Sequence, residues 1–181
     1  DEFTNLEAGI KWDLSDDQSL TLATFEIEQD LLQRINNVIE NREAEIQGFE
    51  AQYLGRISEQ WTVSAGYTYL TGETAGGDRP GELPKSSFSI WNSYQVSEKL
   101  GLGLGAIYQG ESTPKGGAGF GTVESFVRVD AAAYYQLSEN LRLQVNIENL
   151  LDEEYYPHAY DDHQFTVGAP LNATVSIKGT F

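Results

Sequence analysis

Polar and apolar residues alternate with a period of two along most of the chain, which is the pattern of β-strands with two different faces. In residues 5–14, for example, Ala8, Ile10, Trp12 and Leu14 share one face, while Glu, Gly, Lys and Asp occupy the positions between them. The alternation predicts nine strands, at residues 5–14, 20–29, 45–57, 61–70, 87–96, 100–108, 127–137, 141–151 and 172–181. Each has about the length that a tilted strand needs to cross a bilayer.

Four short turns of one kind recur at a spacing of about forty residues. They read Leu-Ser-Asp-Asp at 14–17, Ile-Ser-Glu-Gln-Trp at 57–61, Val-Ser-Glu-Lys-Leu at 96–100 and Leu-Ser-Glu-Asn-Leu at 137–141. The connections between them are long and either Gly/Pro-rich or highly polar. Short turns at one end and long loops at the other are typical of a transmembrane β-barrel. The short turns therefore predict the periplasmic rim, and the long loops the external side.

The placement of the aromatic residues distinguishes a membrane barrel from a soluble sandwich or barrel, which alternation alone does not. Near the short turns the apolar face carries Trp12, Tyr53, Trp61, Tyr94, Tyr135 and the terminal Phe181. Near the other end it carries Tyr67, Tyr69 and Tyr108, with aliphatic residues between the two levels. Two aromatic girdles around an aliphatic band predict a lipid-facing wall.

The opposite face of the predicted strands is polar and partly charged. It includes Glu50, Arg56, Arg142, Glu148 and Lys178. Such side chains are costly in lipid, so this face is expected to line a lumen that is wet or filled by polar protein. The strand count is odd, whereas bacterial single-chain barrels have even counts. We therefore expect either one further strand upstream or the C-terminal part of a larger barrel.

Composition excludes several classes of function. The 181 residues contain no cysteine and no methionine, so there is no disulfide or thiolate chemistry, and a processed or excised chain is expected. The net charge of −17 argues against nucleic-acid binding, which needs a basic patch. The acids cluster in predicted turns and loops, at residues 16–17, 26–30, 40–45, 152–154 and 161–162. They indicate a solvated surface, with a cation-attracting vestibule as the alternative.

Several segments, in order, resemble one known family. Residues 141–156 (Leu-Arg-Leu-Gln-Val-Asn-Ile-Glu-Asn-Leu-Leu-Asp-Glu-Glu-Tyr-Tyr) resemble the penultimate strand of TonB-dependent siderophore receptors. Residues 168–172 (Gly-Ala-Pro-Leu-Asn), followed by an alternating strand and Phe181, resemble the closing strand, although Leu171 stands where Arg is usual. Residues 48–51, 65–70 and 84–89 resemble the family's Gly-(Val/Phe)-Glu segment, its Gly-Tyr-Thr-Tyr strand and the strand that follows.

The resemblance implies a fold and a function. The fold is all-β, an antiparallel up-and-down transmembrane β-barrel with about nine strands present, the last part of a twenty-two-stranded barrel. Residues 1–181 would be its C-terminal part, with the plug domain and the earlier strands absent. The implied function is that of an outer-membrane receptor for TonB-dependent uptake of iron–siderophore complexes, by external binding and energised plug displacement. The implied partners are outer-membrane lipid and lipopolysaccharide, the iron–siderophore ligand, the rest of the receptor with its plug, and TonB through an N-terminal segment outside this chain.

Candidate contact residues lie in the last long loop, namely Tyr155, Tyr156, His158, Tyr160 and His163. Two histidines near Asp161 and Asp162 are consistent with a metal site, but their spacing matches no fixed motif. A polar external loop without a metal is favoured over a metal site. The family resemblance implies that this loop contacts an iron–siderophore complex. The glycines at 101–105 alternate within a strand and precede no helix, so they are not a phosphate loop. No cofactor and no metal are predicted.

Three other functions stay open. A small complete outer-membrane barrel would act as a structural anchor or passive pore. A small-barrel enzyme would need a serine and a histidine on adjacent strands, but both histidines lie in one loop, so no enzyme is expected. A soluble binding barrel would stay folded in buffer without detergent.

Overall fold

The structure is a computed structural model that describes residues 2–35, 38–115 and 118–180. Its strands are β1 (Glu2–Ser15), β2 (Gln18–Ile35), β3 (Val38–Arg56), β4 (Trp61–Thr74), β5 (Ser86–Gln95), β6 (Leu100–Gln109), β7 (Phe126–Ser138), β8 (Leu141–Glu148), β9 (His158–Ala159), β10 (Phe165–Thr166) and β11 (Asn172–Gly179). Across these ranges we find no helix of the length and apolar character needed to cross a membrane.

Nine of these strands form one antiparallel sheet in the order β1-β2-β3-β4-β5-β6-β7-β8-β11. Strands β9 and β10 form a separate two-stranded ribbon within the last connection. The all-β class, the up-and-down order and the nine strand signals predicted from the sequence are confirmed. Within the described residues the sheet is open, because β1 and β11 each pair with a single neighbour.

The hydrogen-bonding register assigns every strand residue to one of two faces. One row on the apolar face crosses six strands as Trp61, Tyr94, Leu102, Ala133, Val145 and Val175. The neighbouring row on the opposite face reads Thr62, Ser93, Gly103, Ala132, Asn146 and Thr174. Directly paired residues share a face, so the predicted alternation is preserved across these six strands.

The apolar face has little protein packed on it. Leu104 is 53% exposed and Ile177 is 65% exposed, although both lie inside strands. An apolar surface of this extent is not left in water by a soluble protein. A surrounding lipid phase accounts for it, since lipid chains contact these side chains without the penalty that water imposes.

The two aromatic levels predicted from the sequence also lie on this face. Tyr67, Phe88 and Tyr108 form one continuous cross-strand row at the upper level. At the lower level Trp61 pairs with Tyr94, and the Trp61 indole donates a hydrogen bond of 3.2 Å to the Asn92 side-chain oxygen. This bond gives Asn92, which interrupts the alternation of β5, a partner on an otherwise apolar surface. The predicted girdle residue Phe181 lies outside the described residues.

The serine of the repeated turn has a local role. The Ser58 hydroxyl accepts hydrogen bonds from the Gln60 and Trp61 backbone N–H groups at 3.3 and 3.2 Å. The Ser97 hydroxyl accepts one from the Leu100 N–H at 3.2 Å. A serine side chain thus satisfies backbone donors that the tight connection leaves without strand partners.

Two aromatic side chains on the polar face pack on glycines of the neighbouring strand. Phe25 packs on Gly48 of the next strand, and Trp91 packs across Gly103 and Gly105. A Cβ at any of these three glycines would overlap the ring. Gly103 and Gly105 in β6 therefore leave the space that the Trp91 ring occupies, and this packing explains why glycine is found inside the strand.

Three predicted strand boundaries are wrong. β2 continues beyond the predicted end at residue 29 to Ile35, and β3 begins at Val38 and not at residue 45, so the acidic stretches 26–30 and 40–45 lie in strands of 18 and 19 residues and not in turns or loops. Strands of this length exceed the roughly 9–11 residues that span a bilayer, so their acidic ends continue the backbone ladder beyond the apolar band. The predicted strand 141–151 ends earlier, at Glu148, because Asn149 adopts a positive φ of 55°.

Candidate functional site

The last long connection, residues 149–171, begins at a fully buried asparagine. The Asn149 side-chain amide donates to the carbonyls of Glu153 and Ala169 at 2.8 and 3.0 Å, and its oxygen accepts the Glu153 N–H at 2.9 Å. Asn149 is 0% exposed. Because Glu153 and Ala169 lie at opposite ends of the connection, one side chain joins the start of the loop to its finish.

Asp152 makes a second link between the two ends. It adopts a positive φ of 52°, and its carboxylate accepts the Leu171 N–H at 2.8 Å. The Asn-Leu-Leu-Asp segment that marks the family resemblance therefore has a structural purpose. Its two polar residues close the base of the loop, and both tolerate the left-handed backbone that the turn requires.

Three charged residues on the polar face of β7 and β8 connect the wall to this loop. Arg128 donates to Glu148 at 2.8 Å and to Asp130 at 2.9 Å. The second oxygen of Asp130 accepts the Asn149 backbone N–H at 2.9 Å. The Arg128 and Asp130 side chains are only 21% and 20% exposed. Arg128 was not among the residues predicted from the sequence. The one sequence feature that pointed to it is its place among the polar positions of a predicted strand.

Tyr155 connects the same arginine to the loop. Arg128 donates a hydrogen bond of 3.2 Å to the Tyr155 hydroxyl, and the Tyr155 ring lies 4.4 Å from the Phe126 ring. Gly168 lies against this ring so closely that a Cβ there would overlap it. Tyr155 is 6% exposed, so much of its surface is used in packing within the protein.

An aromatic cleft of about 430 Å³ lies between the β6–β7 connection and the last loop. Its aromatic lining is Phe120, Phe126, Tyr155, Tyr156 and Phe165. Its acidic lining is Glu124, Glu154, Asp161 and Asp162. Phe126 is in register with the polar face, which places this aromatic cleft on the lumen side at the long-loop end.

Tyr156 is held by two contacts at the edge of the aromatic cleft. Its hydroxyl donates to the Glu154 carboxylate at 2.7 Å, and its ring meets the Phe165 ring edge-on at 5.1 Å. The hydrogen bond to the carboxylate raises the pKa of Tyr156 above its ordinary value. Of the five predicted contact residues, Tyr155 and Tyr156 line the cleft.

The other three predicted residues lie on the outer part of the loop. His158 pairs with Thr166 in the β9–β10 ribbon. Tyr160 is exposed, with the Lys115 ammonium 5.8 Å from its ring centre. His163 is 81% exposed, and its Nδ1 lies 3.1 Å from an Asp162 oxygen. Across the described part of the chain, no three His, Asp or Glu side chains are grouped so that they could hold a metal ion.

The three long connections that follow β4, β6 and β8 contact one another. The Glu82 N–H donates to the Thr113 carbonyl at 2.8 Å, and the Lys115 N–H donates to the Ala159 carbonyl at 2.9 Å. Gln109 reaches the Pro157 carbonyl at 3.0 Å. The sequence could not reveal these contacts, because most of the groups involved are backbone atoms that every residue carries.

A second concave region lies near the short-turn end. Its volume is about 910 Å³, and its lining is largely polar, with the side chains Gln60, Ser93, Gln95, Gln136, Arg142 and Gln144 among them. The Arg142 guanidinium lies 4.5 Å over the Tyr134 ring. This region, the short-turn cavity, offers hydrogen-bonding groups and few apolar ones, which suits a polar occupant.

Comparison with known proteins gives consistent relatives. A family model described as TonB dependent receptor-like, beta-barrel matches residues 3–150. The chain is 32% identical to the probable TonB-dependent siderophore receptor PiuA of Acinetobacter baumannii, over 98% of the chain and 27% of that receptor. It is 29% identical to the ferripyoverdine receptor of Pseudomonas aeruginosa, over 100% of the chain and 25% of that receptor.

Solved structures agree with this result. The crystal structure of the siderophore receptor PiuA from Acinetobacter baumannii superposes with a TM-score of 0.83 at 30% identity, covering 98% of this chain and 28% of that one. The ferripyoverdine-bound receptor of the Pseudomonas aeruginosa outer membrane gives 0.83 at 26% identity, covering 98% and 27%. The chain thus spans about a quarter of the length of these relatives, all of which are receptors.

Proposed function

Because the chain belongs to the TonB-dependent receptor β-barrel family, we propose that it forms part of the wall and external loops of a receptor for TonB-dependent uptake of iron–siderophore complexes. The proposal depends on the family match over residues 3–150. The sheet agrees with it, because one of its faces is apolar and the other is polar. The family is one of outer-membrane β-barrel proteins, which supports an outer-membrane location for the chain.

Residues 1–181 are, in this proposal, the C-terminal part of a larger barrel. Two facts support it, namely the open nine-stranded sheet and the coverage of about a quarter of each relative. The plug, the earlier strands and the segment that contacts TonB would then lie outside these residues. A small barrel closed by these strands alone is disfavoured, because in the part of the chain that the structure describes β1 and β11 do not pair with each other.

The lipid partners follow from the two faces and the girdles. The apolar band would contact lipid chains, and the upper row of Tyr67, Phe88 and Tyr108 would lie at the level of the outer-leaflet lipopolysaccharide. The long loops would face the medium. The polar face would enclose the plug and the transport path.

The aromatic cleft is the part of this chain best suited to contact the siderophore. Iron arrives already chelated, so the protein needs no metal ligands of its own. It needs surfaces for the organic shell, which aromatic rings and hydrogen-bonding groups provide. Tyr155 and Tyr156 would serve in the aromatic cleft, and His158, Tyr160 and His163 on the outer surface of the same loop. The proposal gives the chain no catalytic role.

The test is iron uptake by the full-length gene product, expressed in a bacterium that lacks its own siderophore receptors. Cells are offered a panel of ⁵⁵Fe-loaded siderophores, with and without a functional tonB gene. We expect uptake of at least one complex that disappears without TonB. Uptake that is equal in the two strains, together with free passage of small sugars, would instead identify a passive pore.

A paired substitution tests the aromatic cleft within that assay. Tyr156→Ala removes the ring that meets Phe165, and we expect the apparent affinity for the siderophore to fall about tenfold, since a buried aromatic contact contributes about 1–2 kcal/mol. Gln164→Ala, at an exposed position of the same loop that is neither in the lining of the aromatic cleft nor among the predicted contacts, is the matched control. If the two variants bind equally well, the aromatic cleft is not a contact surface.

A further inference from the structure

The aromatic cleft carries negative charge on both of its walls. Glu124 lies on the β6–β7 connection, and Glu154, Asp161 and Asp162 lie on the last loop. No lysine, arginine or histidine is among the described residues that line the cleft. Carboxylates concentrated in a cleft attract cations and repel anions. The aromatic cleft therefore combines several rings with charge of a single sign.

Three basic side chains near the lining do not cancel this charge. Arg128, which donates to the Tyr155 hydroxyl, is also bound to two carboxylates of the barrel wall at 2.8 and 2.9 Å. The Lys115 ammonium lies 5.8 Å from the ring centre of Tyr160, an exposed residue outside the lining. His163 lies 3.1 Å from one lining carboxylate and is charged only when it is protonated. The negative charge of the lining therefore exceeds the positive charge that its neighbours supply.

The carboxylates of the two walls differ in how they are held. On the last loop, Glu154 accepts the Tyr156 hydroxyl at 2.7 Å, and Asp161 accepts the backbone N–H groups of residues 163 and 164 at 2.8 and 2.7 Å. On the other wall, the exposed Glu124 side chain makes no hydrogen bond or ion pair within the described part of the chain. A cation that enters the cleft would meet oriented acceptors on one wall and a carboxylate without a competing partner on the other.

The lining favours an organic cation over a metal ion. Aromatic rings attract ammonium and guanidinium groups through the negative charge of their faces. A metal ion instead needs several oxygen ligands around one point, and over the ranges that the structure describes no three acidic or histidine side chains come together in that way. The volume of about 430 Å³ is near the lower end for small-molecule sites, so the cleft suits one arm of a siderophore.

We propose that the aromatic cleft selects ferric siderophores whose organic shell carries a protonated amine or guanidinium group, and that it disfavours anionic complexes such as ferric tris-catecholates. This rests on the proposed function, because it requires the cleft to contact the siderophore. The cationic arm would enter between the two walls, with its charge among the carboxylates and its carbon chain against the rings. The iron stays in its chelate throughout.

The first experiment uses a small probe and does not depend on uptake. The purified full-length protein is labelled with a photoreactive pentylamine that carries a diazirine, and separately with its N-acetyl derivative, which has the same chain without the charge. We expect the cationic probe to label residues 118–126 or 154–165 about tenfold more than the acetylated probe. Equal labelling by the two probes, or no labelling of these peptides, would overturn the proposal.

A pair of double variants tests whether the carboxylates of the cleft cause this preference. Glu124→Gln with Asp162→Asn removes one exposed carboxylate from each wall and keeps every ring, so the preference for the cationic probe should fall to about twofold. The control is Glu73→Gln with Asp78→Asn, which makes the same change in net charge at exposed positions outside the lining. Equal preferences in the two double variants would show that the cleft carboxylates do not select the cation.

The uptake assay extends the test to complete siderophores and separates this proposal from the proposed function. Each amine-bearing complex in the ⁵⁵Fe panel is offered beside its N-acetylated form, which has the same iron centre. We expect TonB-dependent uptake of an amine-bearing complex and a loss of about tenfold on acetylation. Preferred uptake of a tris-catecholate or of an acetylated form would refute the charge selection and keep the proposed function. Cationic labelling of the cleft in a protein that takes up no siderophore would refute the proposed function and keep the cation site.

Discussion

The two ends of β7 and β8 present charges on the same polar face but treat them differently. At the long-loop end Arg128 contacts two carboxylates and a tyrosine hydroxyl, at distances of 2.8–3.2 Å. At the short-turn end Arg142 stands opposite Lys178 with no acid paired to either within the described residues. A network satisfied within the chain fixes local structure, whereas two opposed cations repel each other.

The network at the long-loop end also joins the barrel wall to the last loop. It runs from the wall residues Arg128 and Asp130 through the Asn149 backbone to both ends of residues 149–171. The aromatic cleft rests directly on it, because Tyr155 is bonded to Arg128 and stacked on Phe126. The external surface is therefore held by the barrel wall itself, and substitutions in the network should loosen the loop before they unfold the sheet.

The largest effect is expected from Asn149→Ala. The change leaves buried partners at Glu153 and Ala169 without hydrogen bonds and places Ala at a positive φ, at a cost of about 3 kcal/mol. Hydrogen exchange of the loop amides in the full-length protein should accelerate about 100-fold. Asn172→Ala, which removes an exposed amide nearby, is the control. Equal exchange in the two variants would contradict the role given to Asn149.

Arg128→Met should have the next largest effect. It leaves Asp130 and Glu148 as neighbouring carboxylates without a cation, and losing one side of this partly buried network costs about 2 kcal/mol. Protease cleavage within residues 149–171 is the readout. Asp130→Asn keeps the oxygen that accepts the Asn149 N–H, so it should cost less. The reverse ranking of these two variants would show that the charge pairing is not the main contribution.

Tyr155→Phe should cost about 1 kcal/mol. It removes the oxygen that accepts a bond from Arg128 but keeps the ring contact with Phe126, and one hydrogen bond to a charged group is worth about this much. Loop exchange should rise by about fivefold, with the siderophore affinity little changed. A loss as large as that of Arg128→Met would mean that the hydroxyl does more than accept this one bond.

Arg142→Gln should leave the stability of the sheet within about 0.5 kcal/mol of the parent value. Removing one of two opposed cations relieves repulsion, and this gain offsets the lost stacking on Tyr134. Urea unfolding of the assembled barrel, compared with Arg128→Met in the same lipid, measures the difference between the two ends. If Arg142→Gln costs as much as Arg128→Met, the two arginines have the same structural role and the comparison fails.

Much of the fold follows from local rules that a single sequence obeys. Period-two alternation predicted all nine strands of the sheet, and the Ser-acid turns predicted which ends are tight. The aromatic levels predicted the lipid-facing surface. Each of these signals depends on neighbours along the chain, or on the requirement that one whole face meets one kind of solvent.

The candidate site was only partly predictable. Tyr155 and Tyr156 were among the predicted contacts and line the aromatic cleft, but no local pattern indicated that Tyr155 packs on Phe126. Arg128 and Asn149 were not singled out as functional. Their importance depends on which residues lie opposite them on other strands and at the far end of a loop.

What the sequence determined by itself, then, is which residues form strands, which face lipid and which family the chain resembles, because these properties depend on short-range periodicity. What only the tertiary structure decided is which polar groups meet. Residues 128 and 148 pair, whereas 142 and 178 oppose each other, because the register of β7, β8 and β11 brings them together. Register fixes contacts between residues distant in sequence, and that is the physical reason why Arg128 lies against two carboxylates whereas Arg142 lies opposite a second cation.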